Sequence, residues 1–213
     1  MRTRSPWVRL ALMSSAVGLF VIGYYWGNQH KYVGGPPAIE GVLIAPAMPL
    51  PRFALEDAEG HAFTVEDLAD HWTLLAFGEI SSARGQLAAT HMIDVYNRLG
   101  DQPVLRAQVQ LALAATAHAP NLAWDFSRLS PALRILSGPD EEIRRLAAPL
   151  GEPPEGRGDA RSAIYLIAPD GNLLALFSAS QPTETVAADL AALSEWPLEA
   201  LANRHDDALH PIK

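Results

Sequence analysis

Residues 77–87 read FGEISSARGQL, and Glu79, Ser81, Ser82, Arg84 and Gln86 crowd a short polar loop between an apolar run and a helical pattern. A serine there invites a nucleophile reading. The G-x-S-x-G elbow is not matched, however, and no His–Asp pair is placed beside it. Ser81 and Ser82 are therefore expected as loop residues that cap the following helix, and Glu79 as a solvated charge within reach of Arg84. The seven histidines are His30, His61, His71, His91, His118, His205 and His210. The densest group is RHDDALH, where His205, Asp206, Asp207 and His210 carry metal-ligating atoms, but at a spacing that matches no standard site. It is expected as a solvated tail. His91 falls in a helical pattern as a surface or packing histidine, and His118 in a loop. There is no cysteine, which excludes disulfides, thiol catalysis, peroxidatic chemistry and iron–sulfur or thiolate metal sites together.

The elements that position these residues read in order along the chain. Residues 52–79 give a short strand, a turn around Glu59 and Gly60, a second strand, a helical turn and an apolar strand from Trp72 to Phe77. Gln86 to Leu99 places Met92, Ile93, Tyr96 and Leu99 on one helical face, with Gly100 as a stop. Val104 to Leu113 alternates and then turns apolar, predicting a strand. Asn121 to Leu129 is predicted as a helix and Leu133 to Leu136 as a strand. SGPDEEIRRLAAPLG predicts a helix capped by Ser137, with Pro139 and acids in its first turn and a stop at Gly151. After an exposed loop at 152–161, SAIYLIAPDGNLLALFS predicts a hairpin turning through Pro169, Asp170 and Gly171. Thr183 to Leu193 closes the pattern as a helix burying Val186, Leu190 and Leu193. The fold class is α/β, a central mixed β-sheet flanked by helices.

Ahead of this domain, residues 10–26 carry no charge, and Trp7 and Trp26 bracket a run of 20 residues. At about 1.5 Å per residue such a run spans a hydrocarbon core of about 30 Å, with aromatic residues at both interfaces. No small-residue cleavage site follows, so 7–26 is expected as a retained transmembrane anchor. Three arginines precede it and only Lys31 follows closely, which places 1–6 in the cytoplasm and the rest in the periplasm, anchored to the inner membrane by a single pass. Residues 27–50, rich in Gly and Pro, are expected as an extended spacer. The first four basic residues stand without an acid, so 12 of the 16 basic residues face all 24 acids, and residues 32–213 carry −12. Such a domain repels nucleic acid and anionic lipid.

Three stretches in this order resemble the SCO/SenC family of thioredoxin-like, membrane-anchored copper chaperones of cytochrome c oxidase assembly. FALEDAEGHAFTVEDLADHWTLLAFGE is similar to the family's opening strands and LLYFG strand, SGPDEEIRRLAAPLG to its TG-PEEI-LA-GV segment, and SAIYLIAPDGNLLALF to its YLIDPDG hairpin. The resemblance covers about Pro51 to Leu193 and implies a thioredoxin-like fold at 51–195, with a C-terminal tail at 196–213. It also implies where family members bind copper: a C-x-x-x-C pair after the LLYFG strand and a histidine five residues before the hairpin tyrosine. Those positions are Ser82, Gln86 and Ala160 here, Ala160 following Asp159 where the family has V-D-H. Serine, amide and methyl groups do not replace two thiolates and an imidazole on copper.

The expected protein is thus a divergent member without a catalytic, cofactor or metal site. Its expected role is a non-enzymatic scaffold or accessory factor in respiratory oxidase assembly, with membrane proteins of the respiratory chain or their assembly factors as partners. The competing expectation is a ligand-binding protein or enzyme that has rebuilt the pocket near Glu79–Gln86 with oxygen and nitrogen groups, Asp159 among them.

Overall fold

A computed structural model of the 213-residue chain describes residues 17, 19, 37–115, 120–151 and 163–197. The chain separates at Pro37 into two units. Of the first, residues 1–37, Val17 and Leu19 are helical with exposed side chains. The expected anchor at 7–26 otherwise lies outside the described residues, among which no helix is long and apolar enough to cross a membrane. The loop at 152–161 and residues 198–213 also lie outside them.

The second unit is built on an eight-stranded mixed sheet. Strands β1 (Val42–Pro49), β2 (Ala54–Glu56), β3 (Ala62–Thr64), β4 (Trp72–Phe77), β5 (Val109–Ala115), β6 (Leu133–Ser137), β7 (Ala163–Ile167) and β8 (Asn172–Ser178) lie in the order β1-β8-β7-β4-β5-β6-β2-β3. Strands β4, β5 and β6 run parallel, and the rest pair antiparallel. The helices are α1 (Ala83–Arg98), α2 (Pro103–Gln108), α3 (Pro120–Leu129), α4 (Asp140–Ala147) and α5 (Thr183–Ser194).

The central strands are buried on both faces, which is why they read as near-continuous apolar runs. Alternation sends Trp72, Leu74 and Ala76 to one face, with Leu111, Leu113, Ile164 and Leu166. There they meet Ala88, Ala89, Met92 and Val95 of α1 and Val186, Leu190 and Leu193 of α5. Leu75 and Phe77 face the other way, with Tyr165 and Ile167, and are covered by Phe53, Leu55, Phe63 and Leu68 and by Ile143 and Leu146 of α4. In α1 the buried stripe turns toward the small residues: Met92, and Leu99 in the turn just after the helix, are fully buried as expected, while Ile93 and Tyr96 flank it half-buried.

Three expectations are corrected. Val104 to Gln108 is not strand but α2. Pro103 at its first turn has a preset φ and no amide to satisfy, the Arg106 amide donates to the Gln102 carbonyl at 2.9 Å, and Leu105 is buried while Val104 stays exposed. The strand starts only at Val109, where pairing with Trp72 of β4 sets its register. Ser137 does not cap α4: it is the last residue of β6, the cap position is Pro139 without a side-chain bond, and Asp140, Glu141 and Glu142 supply the favourable charge at that helix end.

The third correction concerns the expected spacer. Residues 42–49 of it are β1, which covers the otherwise open edge of β8. Its register shifts between Leu43 and Met48, the stretch that holds Pro46 and so demands no amide there. Asp189 of α5, buried, accepts the Glu40 and Gly41 amides, each at 3.0 Å, and fixes the approach to this strand.

Candidate functional site

The loop between β4 and α1 follows the C-terminal end of the parallel strands, where βα loops of open sheets commonly carry function. The Gly78 amide donates to the Ala114 carbonyl of β5 at 3.0 Å, so the loop leaves the sheet still tied to it. Ile80 then turns inward and is fully buried. Ser82 is the N-cap of α1: its hydroxyl accepts from the Gly85 amide at 3.0 Å and donates to the Glu79 carbonyl at 2.7 Å. Its own amide donates to the Glu79 carbonyl at 2.9 Å, and its carbonyl accepts from the Gln86 amide at 3.0 Å. The Ser81 hydroxyl donates to the Glu79 carboxylate at 3.3 Å, while Arg84 and Gln86 are exposed.

Behind this hydroxyl the space is filled by backbone. A Cβ on Gly85 would lie 2.0 Å from the Glu79 carbonyl oxygen and 3.1 Å from the Ile80 amide nitrogen, so only glycine lets the first turn of α1 settle on the loop. Glu79, Ser82 and Gln86 do come together in one turn, as the sequence suggests, but as a capped helix start. A serine hydroxyl already donating to a carbonyl and accepting from an amide is a poor nucleophile and a poor ligand. Ala160 and Asp159 lie outside the described residues, as do His30, His118, His205 and His210.

The remaining described histidines are dispersed. His71 contacts the Ala69 carbonyl through Nδ1 at 2.8 Å. His91 on α1 is half-buried, and burial holds its imidazole below the ordinary histidine range, against the opposing pull of Asp94. His61 is in the β2–β3 turn with Asp57 and Glu59. Burial pushes the Asp57 carboxyl up, but amide hydrogen bonds from His61 and Glu59, both 2.9 Å, and the charge of His61 outweigh it and hold the group below its ordinary value. Reading the sequence for the turn alone passes over this group. Its signal is the D-A-E-G-H run, whose residues face one another only once the turn closes.

No family model and no curated protein sequence matches the chain. Solved structures do. Apo Sco1 of Thermus thermophilus aligns with a TM-score of 0.59 at 24% identity, over 75% of this chain and 99% of that one. Copper-bound yeast Sco1 aligns at 0.61 and 16% identity, over 78% and 99%. BsSco, a member of the Sco family of cytochrome c oxidase assembly proteins with a disulfide switch, aligns at 0.57 and 18%, over 73% and 98%. The fold is therefore that of the Sco proteins, spanning nearly their whole solved length, in a chain that holds no cysteine.

Proposed function

We propose that this chain is a divergent SCO/SenC-family protein acting without catalysis, as a scaffold or accessory factor in respiratory cytochrome oxidase assembly. It is a single-pass protein of the inner membrane, with its N-terminus in the cytoplasm and its domain in the periplasm, and engages membrane proteins of the respiratory chain or their assembly factors. The fold matches nearly the whole solved length of the Sco structures, which supports a role for its surface. Carrying the reading is Ser82: at the position that the sequence resemblance gives to the first copper-binding cysteine stands a hydroxyl committed to helix capping. Its companion Gln86 is an exposed amide, and no thiol exists elsewhere in the chain to substitute. Against a pocket rebuilt from Glu79 to Gln86 stand the burial of Ile80 and the contact of Gly85 with Glu79 inside the loop; Asp159, the other wall of that pocket, lies outside the described residues.

Crosslinking the full chain in native membranes, followed by affinity capture, tests this. Oxidase subunits or their assembly factors should be recovered. Recovery of unrelated partners alone would overturn the assignment to oxidase assembly. Tight stoichiometric copper(I) binding by the purified chain would overturn the loss of the family's site.

A further inference from the structure

The β2–β3 turn gathers three donors of mixed chemistry. One ligand atom from each of Asp57, Glu59 and His61 lies within 4.8 Å of the others. Nδ1 of His61 stands 3.4 Å from Oδ2 of Asp57 and 3.5 Å from Oε2 of Glu59. These separations are long for charge-assisted hydrogen bonds, which run about 2.7–2.9 Å. The two edges from the imidazole match those of a zinc tetrahedron, about 3.4 Å for metal–ligand bonds near 2.1 Å, and the two carboxylates, within 4.8 Å of each other, close on an ion by rotation of the exposed Glu59 side chain. We propose that Asp57, Glu59 and His61 form a binding site for a divalent transition ion of the zinc class, with the fourth position open to water.

The surroundings fit that role. Asp57 is nearly buried, its side chain 9% exposed, and its Oδ1 is held by the Glu59 and His61 amides, leaving Oδ2 toward the imidazole. Glu59 and His61 are largely exposed, at 53% and 73%, so the site opens to solvent. An imidazole with two carboxylates suits zinc or copper(II), and distinguishes the site from the all-oxygen sets that take calcium or magnesium. Arg134 of β6 stands 3.9 Å from Oδ2 of Asp57, and its guanidinium rests over the Phe63 ring at 5.7 Å from the centroid. Its positive charge opposes a cation at Oδ2, so the half-exposed guanidinium must swing away when an ion binds. β2 meets β6 through Glu56 and Ser137, and the turn then runs back toward the start of β6, away from the sheet end that carries Ser82. The site is thus independent of the degenerate position in the loop after β4 and of the role proposed above.

Zn2+ alone, titrated calorimetrically into the full chain in detergent micelles, tests the site against the histidines of the tail. Wild type and His205→Ala/His210→Ala should each bind one ion at the turn, and His61→Ala should weaken that binding by at least about tenfold, the loss of one of three protein ligands. Excess Ca2+ should not displace it. Zn2+ should also raise the thermal midpoint of wild type and not that of His61→Ala, because the ion binds the folded turn. Because His61 is exposed, its replacement leaves the fold intact, which far-UV circular dichroism checks. Glu59→Gln, equally exposed, gives a second weakened variant. Unchanged affinity in both variants, loss of binding in His205→Ala/His210→Ala, or no binding by wild type up to about 100 μM Zn2+ would each overturn the proposal.

Discussion

Replacing Gly85 with alanine sets two calculable effects against each other. In an exposed helix the change stabilises by about 1 kcal/mol, because glycine carries the greater backbone entropy. Here the added Cβ would lie 2.0 Å from the Glu79 carbonyl oxygen and 2.5 Å from its carbon, both backbone atoms that no rotamer change can move. Relief requires the loop to retreat by more than 1 Å, since ordinary contact begins near 3.4 Å. That retreat breaks the Ser82 cap, about 1 kcal/mol. It also partly unseats Ile80, buried to 1%, where full loss of such a side chain costs about 2–5 kcal/mol. With half of the Ile80 contribution lost and the helix gain cancelling the cap loss, the net effect is a destabilisation of about 1–2.5 kcal/mol. Urea unfolding of the purified chain, followed by tryptophan fluorescence, measures it, with Ser82→Ala as the reference for the cap alone at about 1 kcal/mol. A Gly85→Ala protein as stable as wild type or more so would refute the close seating of helix on loop, and would reopen the loop as a place for a pocket.

Further predictions concern the edges of the domain. Asp189→Ala leaves the Glu40 and Gly41 amides without their acceptor and should cost about 2–3 kcal/mol. It should also accelerate hydrogen exchange at those two amides, and unchanged protection there would show that β1 is held by its ladder alone. For Asp57 the folded carboxyl lies below its ordinary value, so its stabilisation is complete above the unfolded pKa, about 3.9, and is lost as the pH falls through the folded one. The pH dependence of unfolding below about pH 4 should therefore be shallower in Asp57→Asn than in wild type; parallel profiles would contradict the assignment. Pro103→Gly should fray α2 and destabilise by about 1 kcal/mol through the restored chain entropy, leaving β5 paired with β4. Loss of amide protection in β5 in that variant would mean that helix and strand form one unit.

Much of the architecture is legible without coordinates because it depends on local pattern. Trp72 to Phe77 is apolar at every position but one, and its six residues, short for a helix and rich in aromatic and β-branched types, read as a strand buried on both faces. Pro169, Asp170 and Gly171 give a turn between two apolar runs, and Gly171 takes up the left-handed conformation that glycine favours, at φ 79°. Ser82 stands before a helical stripe and caps it. The site is legible to the same extent: the absence of cysteine is a fact of composition, and the fate of Ser82 follows from its place before the helix.

What the tertiary structure alone decides is wherever the stabilising partner lies far along the chain. Residues 42–49, with prolines at 46 and 49, are extended in either reading, and only the open edge of β8, more than 120 residues away, makes them a strand. VLRAQV alternates as well for one helical turn as for a strand, and the register imposed by β4 ends that ambiguity at Val109. The ridge of Gly85 on Glu79 and the facing of His61 onto two carboxylates depend on distances of a few ångströms set by chain reversal. The sequence by itself determined that thiol chemistry is impossible, because residue types limit chemistry wherever the chain goes. The fold decided which of the remaining polar groups meet, because side chains interact at a range that only packing establishes.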